Sequence, residues 1–254
     1  MTVQDVPQQT QPEGAPPPAG SARPLLIGLG IAFAVLSVLA GTMNIIGSIG
    51  RDSAQRQASY QGIRVVEVDV GAESVQIVAG TDDVTRLDRT ISWSLTKPSF
   101  SERQEGDHLV IRSSCGIDFG RGCSGKVHLV VPADVQVTAH SSAGYVGVTG
   151  LTGALDLSSS AGHVDGVRLG SANVQADSSA GSVELSFSTA PTSVKATSSA
   201  GSVAVLLPQG DEAYRVEADS SAGSSDVSVR TDPSSSRTIV AHSSGGSVDV
   251  SYAE

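Results

Sequence analysis

S-S-A-G-S-V stands at Ser178–Val183 and again at Ser198–Val203, within a phrase that recurs six times between Ser141 and Gly246. Its copies carry Gly144, Gly162, Gly181, Gly201, Gly223 and Gly246, and the last copy reads S-S-G-G. Successive glycines lie 18, 19, 20, 22 and 23 residues apart. A unit of about twenty residues cannot bury its own apolar face, so neighbouring copies must stack and share one core. The expectation is an all-β domain over residues 62–254, a β solenoid of stacked strand repeats. A meander of six hairpins with A-G turns is the rival geometry.

Columns emerge when the copies are aligned on their glycines. Two residues after each stand Val146, Val164, Val183, Val203, Ser225 and Val248. Five residues before stand Ala139, Leu157, Ala176, Ala196, Ala218 and Ala241. Strand side chains alternate between faces, so these columns are expected to share one buried side. Intervening columns are polar. One holds His140, Asp177, Asp219 and His242; another, three residues after the glycines, holds Asp165, Glu184, Asp226 and Asp249, broken by Gly147 and Ala204. The first serine of each copy falls in the inward phase, and buried hydroxyls need partners. Serines bonded to backbone carbonyls, or to one another, are expected at each corner. The glycine is expected to supply the positive φ of a tight turn.

Upstream, Ile63–Val70 and Ser74–Val78 flank the turn Gly71-Ala72-Glu73 with the same alternation, a degenerate forerunner of the repeat. Thr90–Leu95, His108–Arg112 and Lys126–Val131 read as further strands, with a charged loop at Ser101–Asp107. Residues 47–61 read as a polar linker.

Before it lies Leu25–Ile46, 22 residues without a charge, long enough as a helix to cross a bilayer. Val38-Leu39-Ala40 would suit a signal peptidase, but the preceding tail is a poor basic n-region, which favours a retained single span. Residues 1–24, rich in Pro and Gln, lack the apolar content to fold and read as a disordered tail. Arginine counts on the two sides of the span, Arg23 against Arg51 and Arg56, weakly favour a cytoplasmic C-terminal domain. The paired cysteines favour the opposite, and an extracytoplasmic domain at the cell membrane is the expectation.

Formal charge is −10, and Ala133–Glu254 carries 13 acids against 5 bases. Phosphate binding needs the opposite sign, so no nucleic-acid partner is expected.

The opening I-R-V-V-E-V-D-V-G-A-E-S-V-Q-I-V, the cysteines Cys115 and Cys123 ahead of V-H-L-V-V-P, and the serial S-S-A-G-S-V phrases resemble the "putative adhesin" family with β-strand repeats. The likeness covers about Ile63–Val250, and the Pro-rich tail and span resemble actinobacterial, membrane-anchored members. It implies a solenoid-like domain at the cell surface and brings no catalytic residues.

Candidate chemistry is sparse. Cys115 and Cys123, the only cysteines, are expected to form one disulfide in an exported domain. His128 alone is thin support for a metal site at them, and no metal is expected. The acidic column offers oxygen ligands for calcium, but its gaps favour a solvated face. Asp177 and Asp219 are the candidate carboxylate pair for a glycan-active enzyme, and no G-x-S-x-G elbow accompanies the serines. No cofactor is expected. The expected work is non-catalytic adhesion or envelope scaffolding through an unidentified surface partner. The alternatives are the ectodomain of an envelope-stress sensing complex and, third, a solenoid glycan-active enzyme.

Overall fold

The computed structural model describes residues 52–93, 97–114 and 124–253. The tail, the apolar segment 25–46 and both cysteines lie outside the described residues. Among the described residues the fold is all-β, with two mixed sheets of ten and nine strands.

The first seven strands are β1 (Asp52–Gln61), β2 (Val65–Val70), β3 (Glu73–Gly80), β4 (Val84–Trp93), β5 (Ser99–Glu105), β6 (His108–Ser114) and β7 (Ser124–Pro132). Each later copy then lays one strand in the nine-stranded sheet, crosses its S-S-A-G corner, and lays the next in the ten-stranded sheet. These pairs are β8 (Gln136–Ser141) with β9 (Val146–Thr149), β10 (Leu155–Ser159) with β11 (Val164–Leu169), and β12 (Asn173–Ser178) with β13 (Val183–Phe187). They continue as β14 (Ser193–Ser198) with β15 (Val203–Leu207), β16 (Arg215–Ser220) with β17 (Ser225–Val227), and β18 (Thr238–Ser243) with β19 (Val248–Tyr252).

Repeat strands pair in parallel with no slip between equivalent positions. Leu155 faces Val137 and Val174, and Val183 faces Val164 and Val203. The forerunner joins the same stack: Val66 lies beside Val137, Val68 beside Ala139, and Val75 beside Val146. Equivalent positions thus repeat at the strand spacing of about 4.8 Å. One irregularity sits in β11, where a bulge with Arg168 at φ 50° swings Leu169 inward. Leu169 fills the space that Gly166 leaves in its column, since a Cβ there would meet Leu169 Cδ1 at 2.7 Å.

The stack does not follow the chain. In both sheets the last copy lies between the fourth and the fifth, so β18 separates β14 from β16, and β19 separates β15 from β17. Stacking in sequence order is therefore corrected at this end, and side chains give the reason. Ile239, Ala241, Val248 and Val250 of the last copy are fully buried, whereas the fifth copy has Ser225 in the valine column. The outermost layer loses one apolar neighbour, and the copy with the weaker apolar set takes that place. A similar displacement occurs at the other end, where β6 and β7 lie outside β2 and β3.

Two further expectations change. The stretch read as a linker contains β1, paired antiparallel with β4 from Asp52 to Gln61. The charged stretch Ser101–Asp107 is strand as far as Glu105, paired antiparallel with β6. Both are edge strands whose outer faces are solvated, so they lack the apolar alternation that marks a buried strand.

The predicted inward columns form the core between the sheets. Val137, Ala139, Val146, Ala176, Ala196 and Val205 are each at most 1 % exposed. The fifth copy is the exception, with Val216 and Ala218 half-buried and Val227 38 % exposed.

Candidate functional site

A ladder of hydroxyls runs along the corners. Ser159 donates to Gly144 O, Ser178 to Gly162 O, Ser198 to Gly181 O and Ser243 to Gly201 O, each at 2.8 Å. Ser220 donates to Gly246 O at 2.6 Å, and Ser141 to Glu73 O at 3.0 Å. Of the two expected outcomes, bonds to carbonyls are the one that forms. These serines act as cross-braces, with their hydroxyls turned away from solvent.

The corner glycines are required for a different reason from the one expected. Positive φ occurs at Gly62, Gly106 and Gly150, outside the six corners. At Gly162 a Cβ would lie 2.1 Å from Gly144 O, and at Gly181 2.2 Å from Gly162 O. The same pattern holds at Gly201, Gly246 and Gly223, toward Gly181, Gly201 and Gly246 respectively. Backbone therefore rests directly on backbone at every corner, and a Cβ would displace the carbonyl that takes the serine hydroxyl.

The polar columns form continuous outward rows. Across the nine-stranded sheet the order is Asp69, His140, Ser158, Asp177, Thr197, His242, Asp219. His140 Nδ1 shares a hydrogen bond with Ser158 at 2.9 Å, Thr197 donates to Asp177, and His242 Nδ1 meets Asp219 at 2.7 Å. Asp177 and Asp219 are three strand steps apart, about 14 Å at this spacing. A glycosidase pair sits at about 5–9.5 Å. The candidate carboxylates are not brought together, and each is engaged by a neighbour in the row.

On the ten-stranded sheet the acidic column resolves into two adjacent pairs, Asp165 with Glu184 and Asp249 with Asp226, separated by Ala204. Gly147 interrupts the column because the Tyr145 ring lies over it, within 2.6 Å of where its Cβ would stand. Burial first, and the nearby Asp165 carboxylate second, push the Tyr145 hydroxyl up to about 12. Among the described residues no three carboxylate, imidazole or thiol groups converge as a metal site.

A charged clasp at the N-terminal end escaped the sequence reading. Glu102 of β5 accepts from Arg56 Nε and from the Tyr60 hydroxyl of β1, both at 2.9 Å. Arg89 of β4 lies 3.8 Å from the same carboxylate and stacks 3.4 Å over the Phe100 ring. This ties the outer strand of one sheet to the outer strand of the other. Burial lowers the Arg89 pKa, and burial with the Glu102 hydrogen bond lifts Tyr60 to about 12. Beside it Glu73 is fully buried in the glycine column, its carboxylate accepting from Ser113 at 2.6 Å and from the Ala72 amide at 3.1 Å. Charge in the inward phase of two polar stretches was the available signal, because charges turned inward are one way an edge is closed to further pairing.

The hollows of the described surface are open. Two of them, of about 440 and 360 Å³, lie beside His128 and Asp88 and beside Gln175 and Lys195. A third, of about 530 Å³, holds the ion pair between Arg112 and Glu67.

No family model matches the chain, and neither does any curated protein. Among solved structures it is similar to a "putative cell adhesion protein" from Clostridium sporogenes, with TM-score 0.44 and 10% identity over 80% of this chain and 100% of that one. A "putative adhesin" from Bacteroides fragilis gives 0.44 and 13% over 80% and 97%. A "putative lipid binding protein" from Parabacteroides distasonis gives 0.30 and 11% over 80% and 97%.

Proposed function

We propose that this chain is a membrane-anchored, non-catalytic surface protein whose 52–253 domain is a β solenoid working in adhesion or envelope scaffolding. In this reading residues 25–46 span the membrane and the domain stands on the extracytoplasmic side. Cys115 and Cys123 are joined there in an oxidising compartment.

The observation that carries the proposal is how the repeated polar side chains are used. Corner serines brace neighbouring layers, and the candidate carboxylates Asp177 and Asp219 stand three layers apart. What remains is a pair of sheets with outward polar rows over one shared apolar interior, suited to presenting contacts rather than enclosing a substrate.

Two measurements test it. Protease added to intact cells is expected to cleave the domain, and cells carrying it are expected to attach to an envelope or host surface more than cells without it. Turnover of envelope polysaccharide that disappears in Asp177→Asn or Asp219→Asn would replace this reading with an enzymatic one.

A further inference from the structure

We propose that the free edge of β16 is a strand-addition site for an extended, basic segment of another protein. This stands independently of which side of the membrane the domain occupies.

The corner ladder has an unused end. Each layer's glycine carbonyl, from Gly144 to Gly246, accepts the serine hydroxyl of the next layer. Gly223, in the outermost layer, receives none from the described residues. The β16 backbone is likewise paired on one side only, with β18. Arg215 N donates to Arg237 O at 2.9 Å and Ser221 N to Ser243 O at 2.9 Å. Ladder alternation then turns the amides of Val216, Ala218 and Ser220 toward the unpaired side.

Part of this edge is covered by the chain itself. Tyr214 N donates to Arg230 O at 3.0 Å, and Asp232 N to Tyr214 O at 2.9 Å. Past Tyr214 the cover thins to a side-chain bond. The Ser225 hydroxyl donates to the Ala218 carbonyl at 2.9 Å, and the Ala218 amide faces the same unpaired side. Val216, Ala218 and Ser220 are half-exposed in columns that other copies bury, and Ser225 and Val227 of β17 are exposed. A new layer with a small apolar residue at every second position would continue that interior.

Charge selects the occupant. Glu217 and Asp219 of β16 and Asp226 of β17 are exposed on the outward side, with Arg215 the one cation on that face of β16 and Asp219 shared with His242. A second copy of this chain would bring the same edge. Antiparallel self-pairing centred on Ala218 or Asp219 sets carboxylate against carboxylate, which destabilises a strand pair, whereas centring on Glu217 sets Glu217 against itself but Arg215 against Asp219. Lysine or arginine at alternate positions reverses the sign. Main-chain bonds then supply affinity and the alternating side chains supply choice, as in other strand-addition sites.

The probe is a labelled peptide with the sequence of Thr238–Tyr252 carrying Val240→Lys, His242→Lys and Asp249→Lys. It is titrated into the full chain in detergent. It is expected to bind about tenfold or more tighter than the same peptide with glutamate at those positions, or than its scrambled form. Amide exchange is expected to slow at Val216, Ala218 and Ser220. Glu217→Lys with Asp219→Lys is expected to abolish binding. So is Ala218→Pro, which removes only an outward amide and leaves the β18 ladder in place. Equal binding by the scrambled peptide, protection elsewhere, or self-association through this edge would overturn the proposal.

Discussion

Ser243 donates its hydroxyl to the carbonyl of Gly201, two corner glycines back in the sequence, and passes over Gly223. That single bond at 2.8 Å records the exchange of the last two copies. The layer order can be tested directly with engineered cysteines. Thr197→Cys with His242→Cys places thiols on directly paired residues and is expected to oxidise to a disulfide. Thr197→Cys with Asp219→Cys would be neighbours only if the copies stacked in chain order. That pair is expected to stay reduced, and a disulfide there would refute the exchange.

The corner hydroxyls should each be worth a measurable amount. Ser198→Ala leaves Gly181 O without its partner in a buried corner, and a loss of about 1–3 kcal/mol is expected. Ser220→Ala, in the half-exposed outer layer, is expected to cost less because water can replace the hydroxyl. Urea denaturation of the two variants beside the parent checks the order.

Glycine substitutions should separate close approach from backbone strain. Gly181→Ala drives a Cβ to 2.2 Å from Gly162 O, so the layers must part, and a loss larger than that of Ser198→Ala is expected. Gly245→Ala is the contrast, with its nearest atom, Ser199 O, at 3.4 Å. It restores S-S-A-G to the last copy and is expected to be neutral or to stabilise by about 0.4–1 kcal/mol. Thermal melting of both variants decides the matter.

These corners also mark what the sequence could and could not disclose. Period and alternation gave the inward columns from Val137 to Val250, because each copy repeats one local pattern. The serine role was legible for the same reason. Which copy lies outermost depends on a comparison between copies, and Ser225 in the valine column was its visible trace. The strands β1 and β5 were not legible, since their inward phase carries the exposed Arg56 and the buried Glu102, whose burial is tolerable only through Arg56 and Tyr60 of β1 and Arg89 of β4. The reason for glycine was missed because a close contact between layers leaves no local mark distinct from a turn.

Alkali should expose the lifted phenols, those of Tyr60 and Tyr145 most of all. Tyr60 and Tyr145 are raised from 10.0 to about 12, so the folded chain holds protons that the unfolded chain releases. Their contribution to stability is complete below pH 10 and is lost as pH rises toward 12. The unfolding midpoint is expected to fall across that window, and less steeply in Tyr60→Phe with Tyr145→Phe. Ultraviolet titration of phenolate should show correspondingly fewer late-ionising tyrosines in the double variant.

Because both ends of the pile are laid out of turn, its length can be edited only from within. Doubling the segment around Gly181 would add one storey of about 4.8 Å and leave the clasped floor and the acidic roof untouched. Gene duplication could thus set how far such a domain reaches while keeping both termini as they are.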